Sequence, residues 1–121
     1  MLTGRFADSS QFQGQGIASG FPRFQPESFQ HNLKLVDQVK AVAERKGITP
    51  AQLAINWVRG LNGRKGMPTI IPTPGATTTA RVKENAQYFP LSEEEMETLE
   101  DIAYAFEVSG GRYPEGVPME A

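Results

Sequence analysis

Residues 69–86 read TIIPTPGATTTARVKENA, and the interpretation of the whole chain starts from them. A short apolar run over 68–72 is the only convincing strand candidate in the sequence. A Pro/Gly turn and three threonines follow, and then a helical pattern carries Arg81, Glu84 and Asn85. This order predicts a strand, a tight turn and the start of a helix.

A strand, a turn and a helix start in this order are suited to binding an anion. The first N–H groups of a helix lack internal acceptors, and the helix dipole adds partial positive charge there. Arg81 follows one turn later with a planar guanidinium that suits phosphate, and Glu84 and Asn85 share its face of the helix. The pattern indicates a site for a phosphate-bearing nucleotide. An ordinary strand–helix connection, with capping threonines and solvated charges, explains the same residues equally well.

The composition excludes several classes of protein. Lysine and arginine number 12, aspartate and glutamate 14, and their interspersed pattern with a net charge of −2 argues against a nucleic-acid partner. The chain has no cysteine, and its single histidine, His31, cannot build the usual metal site. The apolar runs are far shorter than the ~18 residues of a membrane span, and signal-peptide features are lacking. We therefore expect a soluble, cytoplasmic protein with no metal site and no membrane partner.

Helical periodicity predicts four helices, at residues 28–46, 50–60, 78–87 and 93–106. Two of the helix starts have the spacing of a reciprocal capping box: Thr49 with Gln52, and Ser92 with Glu95. The apolar stripes of these helices, with Trp57 among them, predict their core-facing sides. Residues 1–26 and 107–121 show no sustained period and are expected to form a loop and a tail.

Several segments resemble the aldo-keto reductase family. In the cofactor-binding segment of that family, Ile-Pro-Gly precedes an Arg or Gln and then Glu-Asn, as residues 71–85 do here. Four further segments resemble the family in the same order: LTGR at 2–5, PRFQPE at 22–27, KGITPAQLA with WV at 46–58, and GRYP at 111–114. The nearest likeness is to fungal and plant members that include pyridoxal-reductase-like proteins.

The resemblance implies an α/β fold, the (β/α)₈ TIM barrel. A complete barrel typically needs ~250 residues and at least ~200, whereas this chain has 121. The expectation is therefore one domain over 1–121 that forms the C-terminal part of a barrel, incomplete or truncated, mostly helical and with about one strand. A lone strand leaves its backbone groups unpaired, so the other strands are expected from an N-terminal part.

The resemblance also implies a cofactor, NADP(H), and a set of residues that bind it. Leu2, Thr3 and Gly4 correspond to residues near the pyrophosphate. The 2′-phosphate end is assigned to Gly75, Thr77, Thr78 and Arg81, and the adenosine to Glu84 and Asn85. Phosphate sites after strands seven and eight are frequent in TIM barrels. Many relatives have a lysine where Gly75 stands, so the preference for NADP over NAD rests largely on Arg81.

The family reaction is the reduction of a small carbonyl substrate by hydride transfer, and its proton comes from a tyrosine assisted by lysine, aspartate and usually histidine. Those residues belong to the first half of the barrel, and none of Tyr88, Tyr104, Tyr113 or His31 matches them. No catalytic residue is assigned, and the chain alone is expected to be inactive. The alternative is a non-catalytic helical remnant that only binds a partner chain or has no function.

Overall fold

Four α-helices form the regular structure of the described part of the chain. The structure, a computed structural model, describes residues 2–3, 7–12 and 20–116. The helices are α1 (Pro26–Lys46), α2 (Pro50–Gly60), α3 (Thr79–Ala86) and α4 (Glu93–Ala105). Two 3₁₀ turns, Ser9–Phe12 and Pro22–Phe24, precede them. The four predicted helices are confirmed, with bounds that differ by no more than two residues.

Both predicted capping boxes are present. The Thr49 hydroxyl accepts a hydrogen bond from the Gln52 N–H at 3.2 Å, and the Gln52 side chain accepts one from the Thr49 N–H at 3.0 Å. Ser92 and Glu95 make the same reciprocal pair at the start of α4. Because each box satisfies donors that a helix leaves unpaired, these local signals fix where α2 and α4 begin.

The apolar core lies between α1, α2 and α4. Its buried members are Val39, Val42, Ala43, Leu53 and Leu99, and partly buried apolar side chains surround them. Trp57 packs against this cluster as predicted, but its indole N–H is buried and has no acceptor among the described residues. Ala103 belongs to the apolar stripe that predicts the core-facing side of α4, but it is exposed. It lines an open apolar cavity of about 110 Å³ together with Leu35 and other core residues.

The predicted strand is absent. Residues 67–76 have no regular secondary structure, and no strand is present anywhere in the described ranges. The physical reason is that a strand needs a neighbouring strand for its backbone groups, and this one has none. The Asn62 side chain replaces such a neighbour at Ile70: its amide oxygen accepts from the Ile70 N–H at 2.7 Å, and its NH₂ donates to the Ile70 carbonyl at 2.8 Å.

The segment after α4 runs back along α1. The Asn32 side chain donates to the Ser109 carbonyl and accepts from the Ser109 N–H, both at 2.9 Å. Gly110 has a φ of +81°, and a Cβ there would lie 2.8 Å from the backbone of Pro22, so only glycine fits. Arg23 donates to the Gly110 carbonyl at 3.1 Å. The described part of the predicted tail, 107–116, is therefore non-helical but tied to α1.

The acidic residues that open α4 form a helix cap and ion pairs, of which the sequence predicts the cap at Glu95. Glu95 caps the helix and also pairs with Lys46 of α1, at 2.8 Å. The hydrogen bond from Lys46, followed by that from the Ser92 N–H, lowers the pKa of the Glu95 carboxyl below its ordinary value. Arg64, from the loop after α2, bridges Glu93 at 2.7 Å and Glu100 at 2.6 Å. These ion pairs join α4 to α1 and to the end of α2.

Two absences hold for the described ranges. No helix there combines the length and the apolarity that crossing a membrane requires. The same residues contain no group of three or more His, Cys, Asp or Glu side chains that could hold a metal ion.

Replacing Leu53 with alanine should lower the free energy of unfolding by about 2–5 kcal/mol, because Leu53 is fully buried where α1, α2 and α4 meet. The measurement is urea unfolding followed by far-UV circular dichroism. Tyr104→Ala is the control, since Tyr104 is 85% exposed and its replacement should change stability by less than about 0.5 kcal/mol. Equal losses in the two variants would contradict this placement of the core.

Candidate cofactor-binding site

The start of α3 presents unpaired backbone donors. Thr78 is the N-cap residue, and its hydroxyl accepts from the Arg81 N–H at 3.3 Å. The N–H groups of Thr79 and Ala80 have no acceptor among the described residues. Because the helix dipole adds partial positive charge at this end, the arrangement suits an anion.

Arg81 adds a cation to this end of α3. Its side chain is half-buried, and within the described ranges its guanidinium makes no hydrogen bond or ion pair. Glu84, one turn later, makes no ion pair with it within the described ranges, and the Glu84 carboxylate accepts from the Thr49 hydroxyl at 2.9 Å. The fork of Arg81 is thus available to an external anion such as phosphate.

The turn before α3 is hydrogen-bonded to a side chain of α3 itself. The Asn85 side chain donates to the Gly75 carbonyl at 3.4 Å, which ties the end of the helix back to the turn. A Cβ at Gly75 would meet no atom within 4 Å, so the turn has open space on that side. A side chain at this position would therefore start without a clash at its Cβ.

A small cavity of about 210 Å³ lies between the turn, α3 and the end of α2. Its lining residues are Arg59, Pro74, Ala76, Val82, Asn85 and Ala86. Apolar groups thus form most of the wall, with one guanidinium and one carboxamide among them. This is the type of surface that accepts a flat heteroaromatic ring, which stacks on apolar and guanidinium groups and hydrogen-bonds to an amide.

One face of α2 holds the C-terminal end of α3 through polar side chains, which we call the α2 polar stripe: Thr49, Gln52, Asn56 and Arg59. The Gln52 side chain donates to the Glu84 carbonyl at 3.4 Å and to the Gln87 side chain. Asn56 donates to the Gln87 carbonyl at 3.4 Å, and Arg59 donates to the same carbonyl at 3.0 Å. The attachment of α3 to α2 therefore includes a dense set of hydrogen bonds.

The α2 polar stripe was not anticipated from the sequence, although a signal for it exists. Its members recur at i, i+3, i+7 and i+10, the spacing of one helix face. Gln52 and Asn56 are only 6% and 2% exposed, so this polar face is largely buried. A polar stripe beside an apolar one on the same helix indicates that both faces are covered.

The remaining predicted binding residues are not gathered with α3. Leu2 is exposed and lines the apolar cavity between α1, α2 and α4, which shares no lining residue with the cavity beside α3. Thr3 is also exposed, and Gly4 lies outside the described residues. Thr77 and Thr78 are exposed at the turn, next to Arg81. The roles predicted for all of these residues remain predictions.

The described residues present no arrangement of a proton donor and its helpers. Tyr88 is 69% exposed, Tyr104 85% and Tyr113 39%. His31 is exposed, and its Nε2 lies 2.8 Å from the Glu107 carbonyl oxygen. The described residues therefore place no group for proton transfer, and the donors gathered at the start of α3 are of the kind that suits an anion.

A family model described as the aldo/keto reductase family matches residues 1–104 of the sequence, a range that includes α3 and its turn. This chain belongs to the aldo/keto reductase family. A curated relative from Schizosaccharomyces pombe, named aldo-keto reductase yakc [NADP(+)], is 31% identical over 117 residues. The match covers 95% of this chain and 33% of the relative, so the chain spans about a third of the length of that protein. No solved structure shows significant similarity to the chain.

Replacing Thr78 with alanine should lower the free energy of unfolding by about 0.5–2 kcal/mol, because the N-cap acceptor for the Arg81 N–H is lost. Urea unfolding measures the change. Thr77→Ala is the matched control and should have little effect, since Thr77 is exposed and lies outside α3. Thr78→Ser should restore most of the loss. A loss with Thr77→Ala as large as that with Thr78→Ala would contradict the assignment of the cap.

Proposed function

We propose that this chain is the NADP-binding C-terminal part of an aldo-keto reductase, an oxidoreductase that reduces a small aldehyde or ketone. The observation that carries the proposal is the available guanidinium of Arg81 at the start of α3, in a chain that belongs to this family. The cofactor named in the relative from S. pombe, NADP(+), supports the same choice.

The donors around α3 fit the phosphate end of this cofactor. Arg81 would pair with the 2′-phosphate, and the open N–H groups at the start of α3 would face the same charge. The hydroxyls of Thr77 and Thr78, both exposed beside Arg81, would add further donors. Gly75 leaves the turn open for the phosphate to approach.

The adenosine would lie beside the last turn of α3. Asn85 would contact it from the cavity that it lines with Arg59. Glu84 would use the carboxylate oxygen that Thr49 does not occupy. Leu2, Thr3 and Gly4 are proposed for the pyrophosphate, in a barrel whose sheet would be supplied by residues outside this chain. The open apolar cavity between α1, α2 and α4 is the surface against which such strands would pack.

When bound, the nicotinamide supplies the hydride that reduces the carbonyl carbon. In this proposal the chain binds and orients the other end of the cofactor, and the proton donor comes from residues outside it. We place the complete protein in the cytoplasm.

Arg81→Ala should weaken binding of NADPH more than binding of NADH, because only NADPH has the 2′-phosphate. A charge-assisted contact contributes roughly 1.5–3 kcal/mol, so the selective loss should be about ten- to a hundredfold. Asn85→Ala should weaken both nucleotides by similar factors, because adenosine is common to them. The measurement is titration of the isotope-labelled chain with each nucleotide, followed through the amide signals of α3.

Two results would contradict the proposed site. Equal weakening of NADH and NADPH by Arg81→Ala would show that Arg81 does not contact the 2′-phosphate. The absence of binding of either nucleotide to the parental chain at millimolar concentration would show that the described turn and helix are no nucleotide site.

The chain alone should not oxidise NADPH in the presence of an aldehyde or ketone at a rate above background. Positioned acids and preorganised donors contribute orders of magnitude to such reactions, and the described residues place none of them. Absorbance of NADPH with a panel of small aldehydes measures this. Turnover at an enzyme-like rate would overturn the prediction that catalysis depends on residues outside the chain.

A further inference from the structure

The last turn of α3 is anchored by an arginine that does not belong to α3. Arg59, near the end of α2, donates from one guanidinium nitrogen to the Gln87 carbonyl at 3.0 Å and from the other to the Asn85 carbonyl at 3.4 Å. These carbonyls lie at the C-terminal end of α3, where acceptors lack internal donors and the dipole is negative. A planar fork that reaches two carbonyls fixes both the position and the rotation of this turn.

The same guanidinium lines the cavity into which Asn85 would present its amide to the adenosine. Arg59 and Asn85 both line that cavity, together with Val82 and Pro74. Asn85 is therefore held at two points: its carbonyl by Arg59, and its side chain by the Gly75 carbonyl. A change at Arg59 would thus alter the backbone from which the amide projects.

Arg81 is independent of this anchor. It lies in the first turn of α3, where its backbone N–H is held by the Thr78 hydroxyl. The distinction separates two parts of one site: a phosphate part at the start of α3, and an adenosine part at its end.

We propose that Arg59 is a positioning residue for the adenosine part of the nucleotide site, acting through the Asn85 and Gln87 carbonyls at the end of α3. This inference rests on the proposed NADP site and adds a residue to it that lies on a different helix. Gln52 and Asn56, buried on the same face of α2, support the anchor by binding Glu84 and Gln87.

The test compares Arg59→Met with Arg64→Met. Both remove one guanidinium, but Arg64 bridges Glu93 and Glu100 of α4 and has no contact with α3 in the hydrogen bonds of the described residues. Binding of NADPH and of NADH is measured for each variant through the amide signals of α3. Arg59→Met should weaken both nucleotides by roughly three- to tenfold, the factor expected for losing hydrogen bonds of ordinary strength. Arg64→Met should leave both affinities within about twofold of the parental values.

A double-mutant cycle separates positioning from general loss of structure. Arg59→Met combined with Asn85→Ala should bind no more weakly than the weaker single variant, since Arg59 acts by positioning the Asn85 amide that the second change removes. Arg59→Met combined with Arg81→Ala should instead multiply the two losses. Arg59→Lys, which keeps the charge but can reach only one carbonyl well, should give an intermediate affinity and serves as the variant of choice if Arg59→Met does not fold.

Amide hydrogen exchange of the free chain provides a readout that needs no nucleotide. Arg59→Met should speed exchange at the end of α3, where the Gln87 N–H donates to the Glu84 carbonyl, and Arg64→Met should not. Unchanged exchange and unchanged affinity in Arg59→Met would overturn the inference while leaving the proposed NADP site intact. Weakening of NADPH alone would also overturn it, because Arg59 would then contact the 2′-phosphate itself. Failure of the parental chain to bind either nucleotide would refute the proposed site and, with it, this role of Arg59.

Discussion

The non-helical segments of this chain depend on asparagine side chains for the backbone partners that a sheet would otherwise provide. Asn32 holds Ser109, Asn62 holds Ile70, and Asn56 accepts from the Phe89 N–H at 3.0 Å while donating to the Gln87 carbonyl. Asn32 and Asn62 each bind the N–H and the carbonyl of a single residue, which is the exchange made by paired residues in an antiparallel ladder, whereas Asn56 binds groups of two residues. Because each amide makes two hydrogen bonds to the backbone, it holds the connecting segment at that point.

The helix α3 also depends on polar side chains, and in this respect it differs from the other three helices. The cluster at the centre of the fold draws on α1, α2 and α4, whereas α3 contributes no buried residue and is attached through the α2 polar stripe. Hydrogen bonds contribute less than apolar burial, so we expect α3 to open locally more readily than the three helices that form the core. Binding elements are commonly drawn from such parts, since they must adjust to a ligand. The polar anchors limit how far that adjustment can go.

The elements that could be predicted from the sequence are those specified by nearby residues. Thr49 with Gln52 and Ser92 with Glu95 satisfy helix donors within three residues, so the starts of α2 and α4 followed from the sequence itself. The strand at 68–72 could not be predicted correctly in the same way, because a strand is specified by a partner strand, which nearby residues do not reveal. Arg59 contacts Asn85 and Gln87, which lie 26 and 28 positions further along the chain. The spacing of polar residues on α2 was the one feature of the local sequence that indicated this contact. For the candidate site, the order of turn, N-cap and Arg81 could be predicted from the sequence. The hydrogen bond from Thr49 to Glu84 could be seen only in the structure.

Under the proposed function, specificity and affinity come from different ends of one short helix. Discrimination between NADP and NAD is a difference of two affinities, so only a group that contacts the 2′-phosphate can change it. Arg81 is such a group, and with glycine at position 75 the turn offers no second cation there. The anchors at the other end, Arg59 among them, act on the adenosine that both cofactors share and therefore scale both affinities together. Binding energy from the adenosine end, which is distant from the nicotinamide, can still serve catalysis. It offsets the cost of holding the reactive ring in place, while other residues carry out the chemistry. Substitutions within this chain could therefore change the choice of cofactor without touching the pocket that selects the carbonyl substrate.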